Sequence, residues 1–158
     1  MKPRGWWSRF GSLALMAMTV LIVAGAASRL DAHEGATGIV KERQQGMVTF
    51  KKAMKTWKLA LDKPQGPMPE TIGEISTHLS SHAGARLLGL YPKGGPTKHT
   101  DASPRIWAEW AEFKRLAKAL EARALTLATV SNDKTVLRSE FKTIGKICKA
   151  CHERFRER

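Results

Sequence analysis

The segment Cys148-Lys149-Ala150-Cys151-His152 ends six residues before the end of the chain and contains both of its cysteines. A C-x-x-C-H sequence is typical of covalent haem attachment, in which each thiol forms a thioether with one vinyl group of the porphyrin. The adjacent imidazole can then bind the iron from one side of the ring. We therefore expect Cys148 and Cys151 to bind one haem c, with His152 as a ligand of its iron.

Three other interpretations of this short motif remain open at this point. A thioredoxin-like redox site uses the same pair of cysteines, but it normally begins a helix after a strand, and the chain has no alternating α/β pattern. A structural zinc site needs four ligands, and the motif supplies three. A pattern with three defined positions also occurs by chance.

The N-terminal segment predicts export from the cytoplasm. The first nine residues contain three basic side chains, and an apolar run follows from Phe10 to Ala27. Small residues then gather at Ala24-Gly25-Ala26-Ala27. Basic, apolar and small-residue regions in this order are typical of a signal peptide, predicted over residues 1–26, with cleavage after Ala32 as the weaker choice.

An uncleaved membrane anchor is the alternative for this leader, because its apolar run is at the lower limit for crossing a bilayer. We favour cleavage, which in a bacterium places the protein in the periplasm, where c-type haem is attached. The domain that carries the motif is then expected over residues 33–158. A protein that remains anchored would instead suit a small haem subunit of a membrane oxidoreductase.

The charge of the chain predicts acidic partners. The formal net charge is +13, and loss of the three basic residues of the leader leaves about +10. This charge favours acidic redox proteins or anionic surfaces, and a solvated basic surface is the plain alternative. Nucleic acid is a poor partner for an exported protein. About 130 residues remain after cleavage, enough for one domain with a core.

Apolar residues recur at helical spacing in four stretches. Proline and glycine residues separate the first two stretches and also follow the second. Ser103 and Pro104 predict the start of the third helix, and the segment Ser131-Asn132-Asp133 is expected to cap the fourth. The predicted helices cover residues 38–61, 69–90, 104–128 and 134–155. We therefore predict an all-α protein, an antiparallel four-helix bundle with one covalently bound haem near the C-terminus of the last helix.

Three stretches of the sequence together resemble one family of haem proteins. They are residues 43–47 in the first helix, residues 102–107 with Phe113, and the terminal segment 145–156. Their order and their positions are similar to those of the class II c-type cytochromes, which include cytochromes c′ and cytochrome c-556. The resemblance covers nearly all of the chain after the leader. It implies a four-helix bundle with the haem motif on the last helix, and family members are often homodimers.

The resemblance also implies roles for individual side chains. Arg43 would pair with a haem propionate, and Met47 would face the distal side of the iron, opposite His152. Arg156 would lie one turn beyond His152, near the proximal face. The spacing agrees independently, since residues four apart lie on one face of a helix.

Two functions follow from the position of Met47. If its sulfur binds iron, the protein is a low-spin electron carrier with His and Met ligands, and it is not an enzyme. If Met47 only crowds the empty side, the protein is a five-coordinate cytochrome c′ that binds nitric oxide or carbon monoxide.

Other candidate residues carry weaker signals. His78 and His82 are spaced for one helix face, but no third ligand accompanies them, so a metal site there is not favoured. Trp57, Trp107 and Phe141 are expected to be core or haem-cavity walls. No Ser-His-Asp order or pair of carboxylates indicates a hydrolase.

Overall fold

The computed structural model describes residues 36–130 and 133–157, so the predicted leader, residues 1–26, lies outside the described residues. Within these ranges six helices occur, and no β-strand longer than the single bridge between Ala102 and Arg156 is present. None of the described helices combines the length and the apolar sequence that a membrane span requires. The helices are α1 (Gly38–Asp62), α2 (Pro69–Ser80), α3 (Gly84–Gly89), α4 (Arg105–Ala108), α5 (Trp110–Leu127) and α6 (Lys134–Phe155).

The helices form the predicted four-helix bundle. Helix α1 packs against α2 and α6, and α5 packs against α2, α3 and α6. Lys134 Nζ, in the first turn of α6, donates to the carbonyl of Lys63 at 2.6 Å, just beyond the end of α1. Arg138 likewise donates to Leu61 O at 3.2 Å. Because the start of α6 lies beside the end of α1, these two helices run antiparallel.

The second predicted helix, residues 69–90, is wrong as a continuous element. Helix α2 ends at Ser80, and α3 begins at Gly84. Gly84 has a φ of +52°, and a Cβ atom there would overlap the Glu121 carboxylate. This left-handed backbone favours glycine and cannot continue an α-helix.

The third predicted helix is also interrupted, at Glu109, whose φ of −117° and ψ of 38° are not helical. The Glu109 carboxylate accepts hydrogen bonds from Arg105, at 2.8 and 3.1 Å, and from Arg154 of α6. The bonds from Arg154 and then Arg105 lower the pKa of the Glu109 carboxyl. The Arg154 side chain therefore connects the break between α4 and α5 to α6, the helix that carries the motif.

The cap of the last helix lies in the predicted segment, at Asp133. Asp133 Oδ1 accepts from the backbone N–H groups of Thr135 and Val136 at 2.8 and 3.1 Å. These bonds satisfy amide groups that have no partner within the helix. They also lower the pKa of the Asp133 carboxyl. The first turn of α6 is thereby defined three and a half turns before the motif.

Most of the buried apolar residues form two clusters. Core cluster 1 fills the part of the bundle around Trp57, and core cluster 2 lies around Phe113. Core cluster 1 consists of Phe50, Ala53, Trp57, Leu61, Ile72, Ile75, Leu79, Ala83, Leu120, Ala124, Leu127, Leu137 and Ile144. Core cluster 2 consists of Leu87, Tyr91, Ile106, Phe113, Leu116, Ala117 and Phe155. Met47 and Ile147 pack against both clusters.

Candidate functional site

The C-x-x-C-H motif lies in the last turns of α6, where the spacing of three and four residues places Cys148, Cys151 and His152 on one face. Both cysteines are half-buried free thiols. Cys148 packs against core cluster 1, and Cys151 packs against core cluster 2. The two thiols therefore lie where the two clusters meet.

Burial controls the protonation of these groups. It raises the pKa of the Cys148 thiol, and it raises that of Cys151 to about 11, with Cys148 contributing to the second shift. The His152 side chain is exposed, yet partial desolvation and then the charge of Arg156 lower its pKa. Before haem is attached, the cysteines are thus thiols near neutral pH, and the imidazole favours the neutral form that binds metals.

The segment before α4 holds the end of α6 in place. Ser103 N donates to Phe155 O at 2.9 Å, and Glu157 N donates to Asp101 O at 2.7 Å. The Arg156 guanidinium donates to the Asp101 carboxylate at 2.7 and 3.1 Å. Phe155 is buried, with its ring edge-to-face on Phe113 at 5.4 Å. These contacts fix the turn that contains His152.

Met47 lies on α1, half-buried, in contact with both core clusters. Ile147, the residue before Cys148, has the same two contacts. The structure therefore brings the sulfur-bearing side chain of Met47 and the motif helix to the same boundary between the clusters.

Arg43 is buried, with 2% of its surface exposed, and is not a surface arginine. Its Nε donates to Leu90 O at 2.7 Å, and its Nη1 donates to Pro96 O at 3.0 Å. Its Nη2 is buried and has no hydrogen-bond partner among residues 36–130 and 133–157. Burial lowers the pKa of the guanidinium, which nevertheless stays charged at any ordinary pH.

Tyr91 is a member of this site that the sequence analysis missed. Its ring lies 4.3 Å from Arg43 Cζ, and 6% of the residue is exposed. The Tyr91 ring also packs edge-to-face with the ring of Phe113, and the two ring centroids are 5.0 Å apart. Tyr91 directly follows the predicted second helix, 48 residues after Arg43, and no local pattern joins the two.

The loop after Tyr91 is held by three side chains from the helices. Besides the Arg43 bond to Pro96, Trp107 Nε1 donates to Pro92 O at 2.7 Å. Gln44 Nε2 donates to His99 O at 3.2 Å. Trp107, expected to be a wall residue, is thus half-buried and ties the start of the loop to α4.

These residues fit a covalently bound haem. Two free thiols and an imidazole on one helix face match the requirement for two thioethers and one axial ligand. The buried Nη2 of Arg43 has no acceptor, an arrangement that costs about 1–3 kcal/mol unless a ligand supplies one. A propionate is an anionic acceptor of the type that guanidinium groups bind.

Other predicted residues do not contribute to this site. Trp57 is fully buried, with its ring edge-to-face on Phe141 at 5.4 Å, so both are core walls. Within residues 36–130 and 133–157, no group of three or more His, Cys, Asp or Glu side chains could hold a metal ion. His82 instead packs its ring against Phe50 at 6.2 Å, with Nδ1 close to Ser81 Oγ and His78 O.

Comparison with known proteins agrees with this site. The model of the cytochrome c′ family matches residues 38–156. Cytochrome c-554 of Cereibacter sphaeroides is 29% identical over 149 residues, which are 90% of this chain and 95% of that protein. Cytochrome c-556 of Agrobacterium tumefaciens is 30% identical over 117 residues, 73% of this chain and 94% of the relative.

A solved structure supports the same assignment. The nitrosyl complex of a variant of cytochrome c′ from Alcaligenes xylosoxidans superposes with a TM-score of 0.61 at 25% identity. The superposition covers 75% of this chain and 94% of that one. Since the family model matches well over half of the sequence, the chain belongs to the cytochrome c′ family, the mono-haem c-type cytochromes with covalently bound haem c.

Proposed function

We propose that the chain is an electron carrier whose haem iron has His152 and Met47 as its axial ligands. One observation carries this proposal: Met47 contacts both core clusters, as does Ile147 beside the motif. When bound, the haem supplies a one-electron couple between ferric and ferrous iron, and no bond of a substrate is made or broken.

Each residue of the site then has a defined task. Cys148 and Cys151 hold the cofactor covalently, and His152 is the proximal ligand. The thioether of Met47 favours ferrous iron, so Met/His ligation raises the reduction potential. The apolar side chains of the two clusters keep water from this region.

An absorption spectrum of the holoprotein, oxidised and reduced, tests the axial ligands. Sharp visible bands of low-spin iron are expected in the reduced state. A high-spin reduced spectrum of the wild type would mean that Met47 does not bind iron.

The second candidate function is the binding of nitric oxide or carbon monoxide. The relative from Alcaligenes xylosoxidans, solved as a nitrosyl complex, favours it. In this case His152 is the sole protein ligand, and Met47 fills space on the opposite side. Methionine on an apolar helix face is commonly core filler, so its residue type is compatible with both functions.

We infer further that an acidic redox partner docks on the outer face of α6. Lys142, Lys146 and Lys149 form one exposed stripe along α6, and Lys149 directly follows Cys148. Lys149 is paired with Glu153 at 3.2 Å, whereas Lys142 and Lys146 have no carboxylate partner among the described residues. Two uncompensated charges next to the motif favour an approach of negative charge there.

Electron transfer to an acidic probe, flavodoxin, should slow as ionic strength rises, because the Debye length falls from about 10 Å at 0.1 M to about 3 Å at 1 M. The double variant K142E/K146E should lower the rate of electron transfer and make that rate less dependent on salt. The matched control is K51E/K52E on α1, which changes the net charge equally. Equal losses in both variants would contradict docking beside the motif, and stopped-flow kinetics measures both.

Export to the periplasm is also a proposal, based on the order of basic, apolar and small residues in the leader. The intact mass of the purified protein should match a chain that begins near Ala27 plus one haem. A haem-loaded chain that starts at Met1 and is recovered with membranes would favour the anchored-subunit alternative.

A further inference from the structure

The Arg43 guanidinium is held on three sides by the segment that follows α3. The carbonyls of Leu90 and Pro96 accept from Nε and Nη1, and the Tyr91 ring lies 4.3 Å from Cζ. A guanidinium is planar and presents its N–H groups in a rigid fork. Because Nε and Nη1 are hydrogen-bonded and one face of the guanidinium lies on the Tyr91 ring, the direction of the Nη2 group is defined.

The Nη2 group is buried against Gly95. A Cβ atom at Gly95 would lie 3.1 Å from Nη2, so the absence of a side chain at this position keeps that edge uncrowded. Tyr91 is itself fixed by Phe113. Burial raises the pKa of the Tyr91 phenol, an effect that the Arg43 charge only partly offsets, so the ring beneath the cation stays neutral.

We propose that Tyr91 is a positioning residue that orients Arg43, so that its unpaired Nη2 donates to a carboxylate of the haem, and that Tyr91 thereby raises the reduction potential. The inference rests on the proposed function, in which the haem lies beside Arg43. Reduction removes one positive charge from the iron, so a fixed cation nearby favours the reduced state. A guanidinium over an aromatic face is stabilised by the ring quadrupole.

A set of variants tests this role through the ratio of reduced to oxidised protein at a constant ambient potential. Arg43→Gln should lower the ratio about tenfold, which is 59 mV for a one-electron couple. Tyr91→Leu should lower it about threefold, whereas Tyr91→Phe, which keeps the ring, should leave it unchanged. Trp110→Leu is the matched control, because it removes a ring that packs against the same cluster and has no ring contact with Tyr91 or Arg43 among the described residues.

The double variant R43Q/Y91L separates positioning from packing. If Tyr91 acts through Arg43, the double variant has the ratio of Arg43→Gln alone. A further drop in the double variant, or an equal drop in Trp110→Leu, would overturn the proposal. Arg43→Lys provides an independent arm if Tyr91→Leu does not fold: an ammonium keeps the charge but has no planar face to lie on the Tyr91 ring, so the ratio should fall between those of the wild type and Arg43→Gln. A wild-type ratio in Arg43→Lys would also overturn it.

The haem content of each variant distinguishes this proposal from the proposed function. A pyridine haemochrome assay should give one covalent haem per chain in all of them. Absence of covalent haem in the wild type would contradict the proposed function itself. If Tyr91→Leu has full haem content and an unchanged ratio of reduced to oxidised protein, only the proposed role of Tyr91 is contradicted.

Discussion

Replacing Met47 by leucine is expected to convert a low-spin protein into a high-spin one that binds carbon monoxide. Leucine fills a similar volume, so packing between the two core clusters changes by less than about 1.5 kcal/mol. It has no sulfur to bind iron, so the sixth position opens and the reduction potential falls. Visible spectra of the reduced protein, with and without carbon monoxide, measure the effect.

Met54→Leu is the control for this experiment. Met54 is also on α1 and packs against core cluster 1, but it does not contact core cluster 2. Its replacement should leave the spectrum low-spin. If the wild type is already high-spin and Met47→Leu does not alter its spectrum, Met47 does not bind the iron. Gas binding would then be the favoured function.

Loss of both cysteines is expected to leave almost no holoprotein. Each single replacement, Cys148→Ser or Cys151→Ser, should remove one thioether and shift the pyridine haemochrome band. The double variant keeps His152, yet one imidazole cannot retain the cofactor as two covalent bonds do. Haem staining after denaturing electrophoresis measures the covalent fraction.

Alanine variants separate loss of the thiol from burial of a hydroxyl. Cys148 and Cys151 are half-buried against the two clusters, so serine places a polar group in apolar surroundings. Cys148→Ala and Cys151→Ala should give the same spectral shifts as the serine variants without that cost. Purified wild-type protein without covalent haem would overturn the entire assignment.

Local sequence predicted much of the bundle because helical signals act over three or four residues. The apolar spacing predicted α1 and α6 within one residue, and the cap of α6 lies in the predicted segment, at Asp133. The same signal failed at Gly84 and Glu109, where the apolar stripe continues through each break. There the backbone follows contacts with distant carboxylate and guanidinium groups, which periodicity does not contain.

The same distinction between local and long-range signals applies to the candidate site. The haem motif and the shared face of Arg43 and Met47 follow from the sequence alone, because residue type and spacing within one helix are sufficient for both. The burial of Arg43, its bonds to Leu90 and Pro96, and its contact with Tyr91 became visible only in the folded chain. Backbone carbonyls carry no sequence signature, and contacts across 47 to 53 residues form only when the helices pack.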